Sequence, residues 1–200
     1  MPIQIDLIIA IGINYLIGSL SFSILIASWF KLPDPRSLGS GNPGATNMLR
    51  TGNKKAAALT LAGDLLKGLI PLLVARWMQY DTFALCLMGF AAIIGHMYPV
   101  YFRFRGGKGV ATTLGVLLGV YWPLAVAWAL IWICTAKLSG YSSLAAIFAT
   151  ISLPIICWVT NLPISIFYLS LATMLLVVWR HRSNIKNLIS GDEDKISKKD

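Results

Sequence analysis

Six apolar runs dominate the chain, over residues 4–30, 56–76, 82–98, 110–136, 141–160 and 163–180. Most approach the ~20 residues that a helix needs to cross a hydrocarbon layer. Lipid offers backbone amides no partner, so runs of this kind fold as helices that satisfy themselves. The 200 residues are 56% hydrophobic and 12% charged, against about 25% charged in an ordinary soluble domain. The first run is too long for a signal peptide and has no clean cleavage site, so a retained helix is expected. Cys86, Cys134 and Cys157 fall inside apolar runs, show no metal spacing, and read as packing residues.

Charge sets the number of spans and their direction. The fourth run contains Tyr121-Trp122-Pro123 and is either one long helix or two short ones hinged near Trp122-Pro123. With the N-terminus outside and the run split, fifteen of the 17 basic residues fall on one side. The two exceptions, Lys67 and Arg76, lie in the second span. An unsplit fourth helix would place the basic C-terminus outside, against the positive-inside rule. The expected fold is therefore an all-α integral membrane protein of seven transmembrane helices, N-out and C-in, with short fourth and fifth helices. A single transmembrane domain over residues 1–190 is followed by a charged, flexible cytoplasmic tail over 191–200. The formal net charge of +9 follows largely from this orientation rather than from nucleic-acid binding. Anionic lipid or an anionic substrate can use the remainder.

In this topology the polar islands 33–55, 99–109, 137–143 and 180–187 all face the same compartment. The first reads Gly39-Ser40-Gly41-Asn42-Pro43-Gly44-Ala45-Thr46-Asn47 and closes with Arg50. The second reads Arg103-Phe104-Arg105-Gly106-Gly107-Lys108-Gly109. Bare glycine backbone beside fixed cations is suited to phosphate, and Arg50 offers a charged fork for it. The bland alternatives are a flexible loop for the first island and topology anchors for Arg103, Arg105 and Lys108. The second island is not a nucleotide P-loop, because Phe102 and Gly109 stand where that motif needs Gly and Ser or Thr. It does precede an apolar helix with Thr112 and Thr113 in its first turn.

Other residues are open to two readings. His96 either positions a ligand or caps the third helix. Asp64 and Lys67, spaced i, i+3 inside a span, form a structural pair or a functional one, since intramembrane charge is costly. Within Ser139-Gly140-Tyr141-Ser142-Ser143, Ser139 is a candidate N-cap, and Ser142 and Ser143 are candidate ligand contacts. His181 is a candidate substrate contact, and Arg180 and Arg182 either join it or snorkel to head groups. Glu193 is the only glutamate and lies in the tail. Paired carboxylates, HExxH and Cys/His clusters do not occur, which argues against a metal hydrolase and a two-carboxylate mechanism. Neither histidine is followed five residues on by Asp: Tyr101 follows His96 and Lys186 follows His181.

The motifs Ser40-Gly41-Asn42-Pro43-Gly44-Ala45-Thr46-Asn47, Gly95-His96 with Gly106-Gly107-Lys108-Gly109, Ser139-Gly140-Tyr141-Ser142-Ser143, and His181-Arg182-Ser183-Asn184-Ile185 resemble the acyl-phosphate:glycerol-3-phosphate acyltransferase family of bacteria. The likeness runs in order along nearly the whole chain. It implies a seven-helix protein of the bacterial inner membrane with its active site facing the cytoplasm. Such an enzyme moves a fatty acyl group from acyl-phosphate to the 1-hydroxyl of glycerol 3-phosphate, giving lysophosphatidic acid for phospholipid synthesis. No cofactor and no metal are implied. The partners are acyl-phosphate, glycerol 3-phosphate, membrane lipid and a soluble enzyme that supplies acyl-phosphate; nucleic acid is not among them. By resemblance Ser40, Arg50, Lys108 and His181 are catalytic. Gly41, Asn42, Gly44, Thr46, Asn47, Gly106, Gly107, Gly109, Ser142, Ser143 and Asn184 bind substrate. Arg50, Lys108, His181 and Asn184 fall to glycerol 3-phosphate, and Ser40, Gly41 and Asn42 to the donor.

The rival reading is a transporter for phosphorylated metabolites. It predicts polar features at the midplane or on the outer side, but the outer turns 77–81 and 160–162 are short and carry no Lys or Arg. A structural anchor that recruits partners through basic loops explains the charge but not the order of Gly, Ser and Asn.

Overall fold

A computed structural model describes residues 5–196, which are helical with no strand among them. The helices are α1 (Ile5–Gly18), α2 (Phe22–Trp29), α3 (Ala45–Arg50), α4 (Lys54–Trp77), α5 (Thr82–Met97), α6 (Val110–Ser139), α7 (Ser142–Val159), α8 (Ile164–Arg180) and α9 (Arg182–Ser190). Among the described residues, α4, α6 and α7 are each long and apolar enough to cross a membrane, as is the stretch Thr82–Phe102 that contains α5. Six spans result when the bent pairs α1 with α2 and α8 with α9 each count as one.

The chain packs as two compact units that part between Val120 and Tyr121. In the first, α1 and α4 pack on α5, while α2 and α3 pack on α4. The approach of α1 to α5 is close. Gly18 faces the Ala92 main chain and Gly95 that of Tyr15, and a Cβ at either glycine would overlap its neighbour. Small residues allow membrane helices to come this near. In the second unit α7 packs on α8, and both touch α9. Trp128 donates to Thr150 at 3.3 Å, tying the later part of α6 to α7, and Cys157 meets Ser170 across α7 and α8 at 3.3 Å. Apolar side chains remain on the outer faces. Trp29, Trp77 and Trp158 are 75%, 81% and 75% exposed at helix C-terminal ends, where indole rings anchor in a bilayer interface.

Two helical runs are broken, and each break has a cation from α4. The first apolar run is not one helix: α1 and α2 are bent by 41° around Ser19-Leu20-Ser21. Lys67 Nζ donates to the Leu20 carbonyl at 2.5 Å and pairs with Asp64 at 2.7 Å. The second break lies in α6. Tyr121 is non-helical there (φ −155°, ψ 92°), beside the expected hinge at Trp122-Pro123. Proline at 123 has no N–H to offer the carbonyl of Gly119. Arg76 supplies the donor instead, reaching the carbonyls of Gly119 at 3.0 Å and Val120 at 2.7 Å. A cation at carbonyls that face a helix C-terminal end also complements the helix dipole. The two basic residues that charge sidedness leaves over are thus the two that serve broken backbone.

Of the expected tail, residues 197–200 lie outside the described residues, and 191–196 make contacts back to the helices. Glu193 accepts from Ser143 at 2.5 Å and from Asn184 at 2.7 Å, and Ile196 N–H donates to the Gly140 carbonyl at 2.9 Å. Gly191, left-handed at φ 82°, caps α9 and turns the chain back.

Arg76→Leu removes the donor from both carbonyls at the α6 break. Hydrogen bonds to a charged group contribute about 1.5–3 kcal/mol, so the variant should unfold several degrees lower than wild type in detergent. An unchanged Tm would show that Arg76 does not hold the break.

Candidate active site

The first island is shaped from within by one amide. Asn47, in α3 and 2% exposed, donates to the carbonyls of Pro35 (2.8 Å) and Leu38 (3.0 Å) and accepts from Ser40 N–H (3.1 Å). The loop can fold round that side chain because Gly39 and Gly41 take positive φ, 51° and 67°. Asn47, expected at the substrate, has these contacts with the loop itself. Met48 roots α3 in a core of Ile26, Ala27, Ala56 and Ala57. Gly44 is the N-cap residue of α3, and Thr46 and Arg50 share a helix face at i, i+4. Upstream, the Asp34 carboxylate accepts from Arg36 N–H at 2.8 Å and from the guanidinium at 2.6 to 3.1 Å. The hydrogen bond from the Arg36 side chain holds Asp34 below the usual carboxylate range.

The second island is built on His96. The imidazole is 8% exposed at the end of α5, and its Nδ1 lies 3.5 Å from Asp64 Oδ1. Asp64 is also held from the backbone side, since Thr112 donates to its carbonyl at 3.0 Å. The chain leading into the next turn, Val100–Phe102, is braced by α1: Tyr15 OH donates to Tyr98 O at 2.9 Å. The chain then passes over the histidine. Gly107 N–H donates to the His96 carbonyl at 3.1 Å. A Cβ on Gly107 would overlap His96 Nε2 and lie 3.1 Å from the Pro43 carbonyl. Glycine is required there because the imidazole fills the side-chain space. The two islands therefore meet at Pro43 and Gly107, above His96, with Lys108 half-buried beside them. Gly109 completes the loop at φ 83° and starts α6 through its carbonyl, which accepts from Thr113 N–H at 2.7 Å. Neither reading of His96, ligand contact or helix cap, anticipated its packing beneath the loop.

In the second unit two of the expected residues meet at a glutamate. Ser143, near the start of α7, and Asn184, in α9, share Oε1 of Glu193. Ser142 begins α7. His181 is 3% exposed between α8 and α9. Its Nδ1 lies 2.8 Å from the Val177 carbonyl. A carbonyl only accepts, so Nδ1 carries the proton and, in the neutral ring, the lone pair is on Nε2. Ser139 does not cap α7; its hydroxyl donates to Thr135 O at 2.7 Å and accepts from Tyr141 N–H at 3.1 Å. Glu193 is the residue that sequence reasoning missed. Its one signal is that the only glutamate of the chain follows a glycine two residues earlier. No group of three His, Cys, Asp or Glu among the described residues is arranged to hold a metal ion.

The family model described as glycerol-3-phosphate acyltransferase matches residues 8–191. The glycerol-3-phosphate acyltransferase of Pseudomonas aeruginosa strain PAO1 is 52% identical over 180 residues, covering 90% of this chain and 94% of the relative. That of Neisseria meningitidis strain Z2491 is 50% identical over 194 residues, covering 95% and 97%. Two crystal structures of PlsY (YgiH), an integral membrane glycerol 3-phosphate acyltransferase, superimpose on this fold. Its glycerol 3-phosphate form gives a TM-score of 0.90 at 40% identity, and its lysophosphatidic acid form 0.87 at 39%; each covers 95% of both chains. With this agreement in sequence, motif order and helical fold, the chain belongs to the PlsY-type family of integral membrane glycerol-3-phosphate acyltransferases.

Proposed function

We propose that this acyltransferase moves a fatty acyl group from acyl-phosphate to the 1-hydroxyl of glycerol 3-phosphate, releasing lysophosphatidic acid and inorganic phosphate. The observation that carries the reading is the meeting of the two glycine-rich islands at Pro43 and Gly107. Both proposed substrates carry a phosphate, and this junction sets bare backbone beside Lys108. The related PlsY structures are described as glycerol 3-phosphate and lysophosphatidic acid forms, which supports the acceptor and the product. The proposed setting is the bacterial inner membrane, with seven spans, N-out and C-in, and the islands facing the cytoplasm. A soluble enzyme that makes acyl-phosphate is the proposed supplier.

The proposed chemistry needs no acyl-enzyme. Acyl-phosphate is a mixed anhydride with a good leaving group, so a covalent intermediate gains little. The glycerol oxygen attacks the acyl carbonyl carbon, the anhydride C–O bond breaks, and phosphate departs with the electron pair. Ser40, Gly41 and Asn42 are assigned to the donor phosphate and carbonyl. Gly44, Thr46 and Asn47 support that loop, and Gly106, Gly107 and Gly109 shape the other. Arg50, Lys108, His181 and Asn184 are assigned to glycerol 3-phosphate, with Ser142 and Ser143 beside Asn184. Positioning and fixed positive charge supply the acceleration. The hydroxyl proton goes to His181 Nε2 or to a substrate phosphate.

Purified enzyme in detergent should release phosphate from palmitoyl-phosphate only when glycerol 3-phosphate is present, and should not use palmitoyl-CoA. Lys108→Ala should lower turnover by about 10²–10³, the scale of losing one preorganised charge stabiliser. Phosphate release without acceptor would mean a hydrolase instead.

His181→Gln decides the proton's destination. If His181 is the base, the variant should lose kcat and the rising limb of the pH profile. Unchanged turnover would leave the substrate phosphate as acceptor.

Single cysteines at Asn42, Arg105 and Ser183 should react with a membrane-impermeant maleimide only from the cytoplasmic side. Labelling of any of them from the periplasm would overturn the orientation.

A further inference from the structure

Lys108 is the cation that the proposed reaction draws from the second island, yet its loop has little rigidity of its own. Three of the four residues 106–109 are glycine, and glycine leaves the backbone freer than any other residue. The place of Lys108 is therefore set by what surrounds the loop. Two contacts, one on each side of it, lead to the same residue of α4. His96 ends α5 just before the loop, and its Nδ1 lies 3.5 Å from the Asp64 carboxylate. Thr112 stands in the first turn of α6 just after the loop, and its hydroxyl donates to the Asp64 carbonyl at 3.0 Å.

The loop lies tightly on the end of α5. A Cβ on Gly106 would overlap the His96 carbonyl, one on Gly107 the His96 ring, and one on Gly109 the Met97 methyl. The orientation of the imidazole thus decides where the Gly107 backbone can sit, and with it the next residue, Lys108. A carboxylate facing Nδ1 favours the proton there and resists rotation of the ring. The carboxylate is itself held, because the oxygen that faces His96 also pairs with Lys67 at 2.7 Å. The Asp64 and Lys67 side chains are 3% and 2% exposed. Such a buried pair gives little net stability over apolar residues, and ionisable groups inside a membrane segment mark function.

We propose that Asp64 is a positioning residue for acyl transfer: through the His96 imidazole on one side and the Thr112 hydroxyl on the other, it sets the loop that carries Lys108. In this assignment Asp64 and His96 act on the reacting atoms only through Lys108. It rests on the reading that Lys108 serves the reaction. Placement matters at this scale, since a shift of about 1 Å in a reacting group lowers a rate by up to about 10²-fold. The rival role for Asp64 is to neutralise Lys67 and nothing more.

The experiment uses the full-length enzyme in neutral detergent, assayed with palmitoyl-phosphate and glycerol 3-phosphate well below each variant's unfolding midpoint. His96→Ala should lower kcat by about 10²-fold and leave the KM for palmitoyl-phosphate within about twofold, the pattern of a displaced transition-state group. His96→Asn keeps a donor at the Nδ1 position and should recover part of the loss. In a Lys108→Ala background His96→Ala should lower the residual kcat no further, because residues that act as one unit are not additive. Losses that multiply in that background would overturn the assignment. His96→Asn carries the same comparison if His96→Ala does not fold. Asp64→Asn/Lys67→Gln removes both charges together, so that no unpaired charge is left buried, and should still lower kcat about tenfold. Wild-type kcat in that variant would reduce Asp64 to neutralising Lys67 and overturn its role. Wild-type kcat in Lys108→Ala would remove the functional reading of the loop and this assignment together. An impaired Lys108→Ala beside fully active His96→Ala and Asp64→Asn/Lys67→Gln would remove this assignment alone.

Discussion

A carbonyl released where a helix breaks needs another donor, and this fold meets that constraint twice with a cation from one helix. Lys67 reaches Leu20 at the bend between α1 and α2, and Arg76 reaches Gly119 and Val120 at the kink of α6. Irregular backbone inside a helical bundle persists where such partners exist. The price of burying Lys67 is met by Asp64, 2.7 Å away, with both side chains almost fully enclosed. A buried ion pair adds little net stability against an apolar pair of the same shape. Its value here is positional, because Lys67 is needed at Leu20 and Asp64 lies 3.5 Å from His96.

His96 links this interior to the chemistry. One side of the ring faces Asp64, the other lies where a side chain on Gly107 would be, and its carbonyl receives the Gly107 N–H. The second island is therefore set by the core beneath it. The first island is set in a different way, by the Asn47 amide wrapped in its own loop. Both loops are irregular, yet each is fixed by a buried polar side chain. Preorganised donors of this kind serve acyl transfer, because charge develops without the site having to rearrange.

Much of the fold was legible in the residues. Apolar runs marked the helices, and the hinge in α6 was legible from Pro123, which removes a known donor at a known place. The bend at Leu20 was not, because serine and leucine are tolerated in a helix and nothing local forbids continuing it. The islands were legible as glycine-rich polar loops beside Arg and Lys. The separate duties of their members were not: Asn47 reads as a ligand contact in the sequence and shapes the loop in the structure. Glu193 was passed over because a charged terminus reads as solvated, whereas Gly191 turns it back to Ser143 and Asn184.

The sequence by itself determined a helical membrane protein with glycine-rich polar loops, because periodicity, hydrophobic length and residue chemistry are local properties. Its motif order also determined the family. Only the tertiary structure decided which carbonyls Lys67 and Arg76 serve, and that Pro43 and Gly107 meet over His96. Those pairings join residues far apart in the chain, and the spacing of residues along a chain does not record which helix faces another.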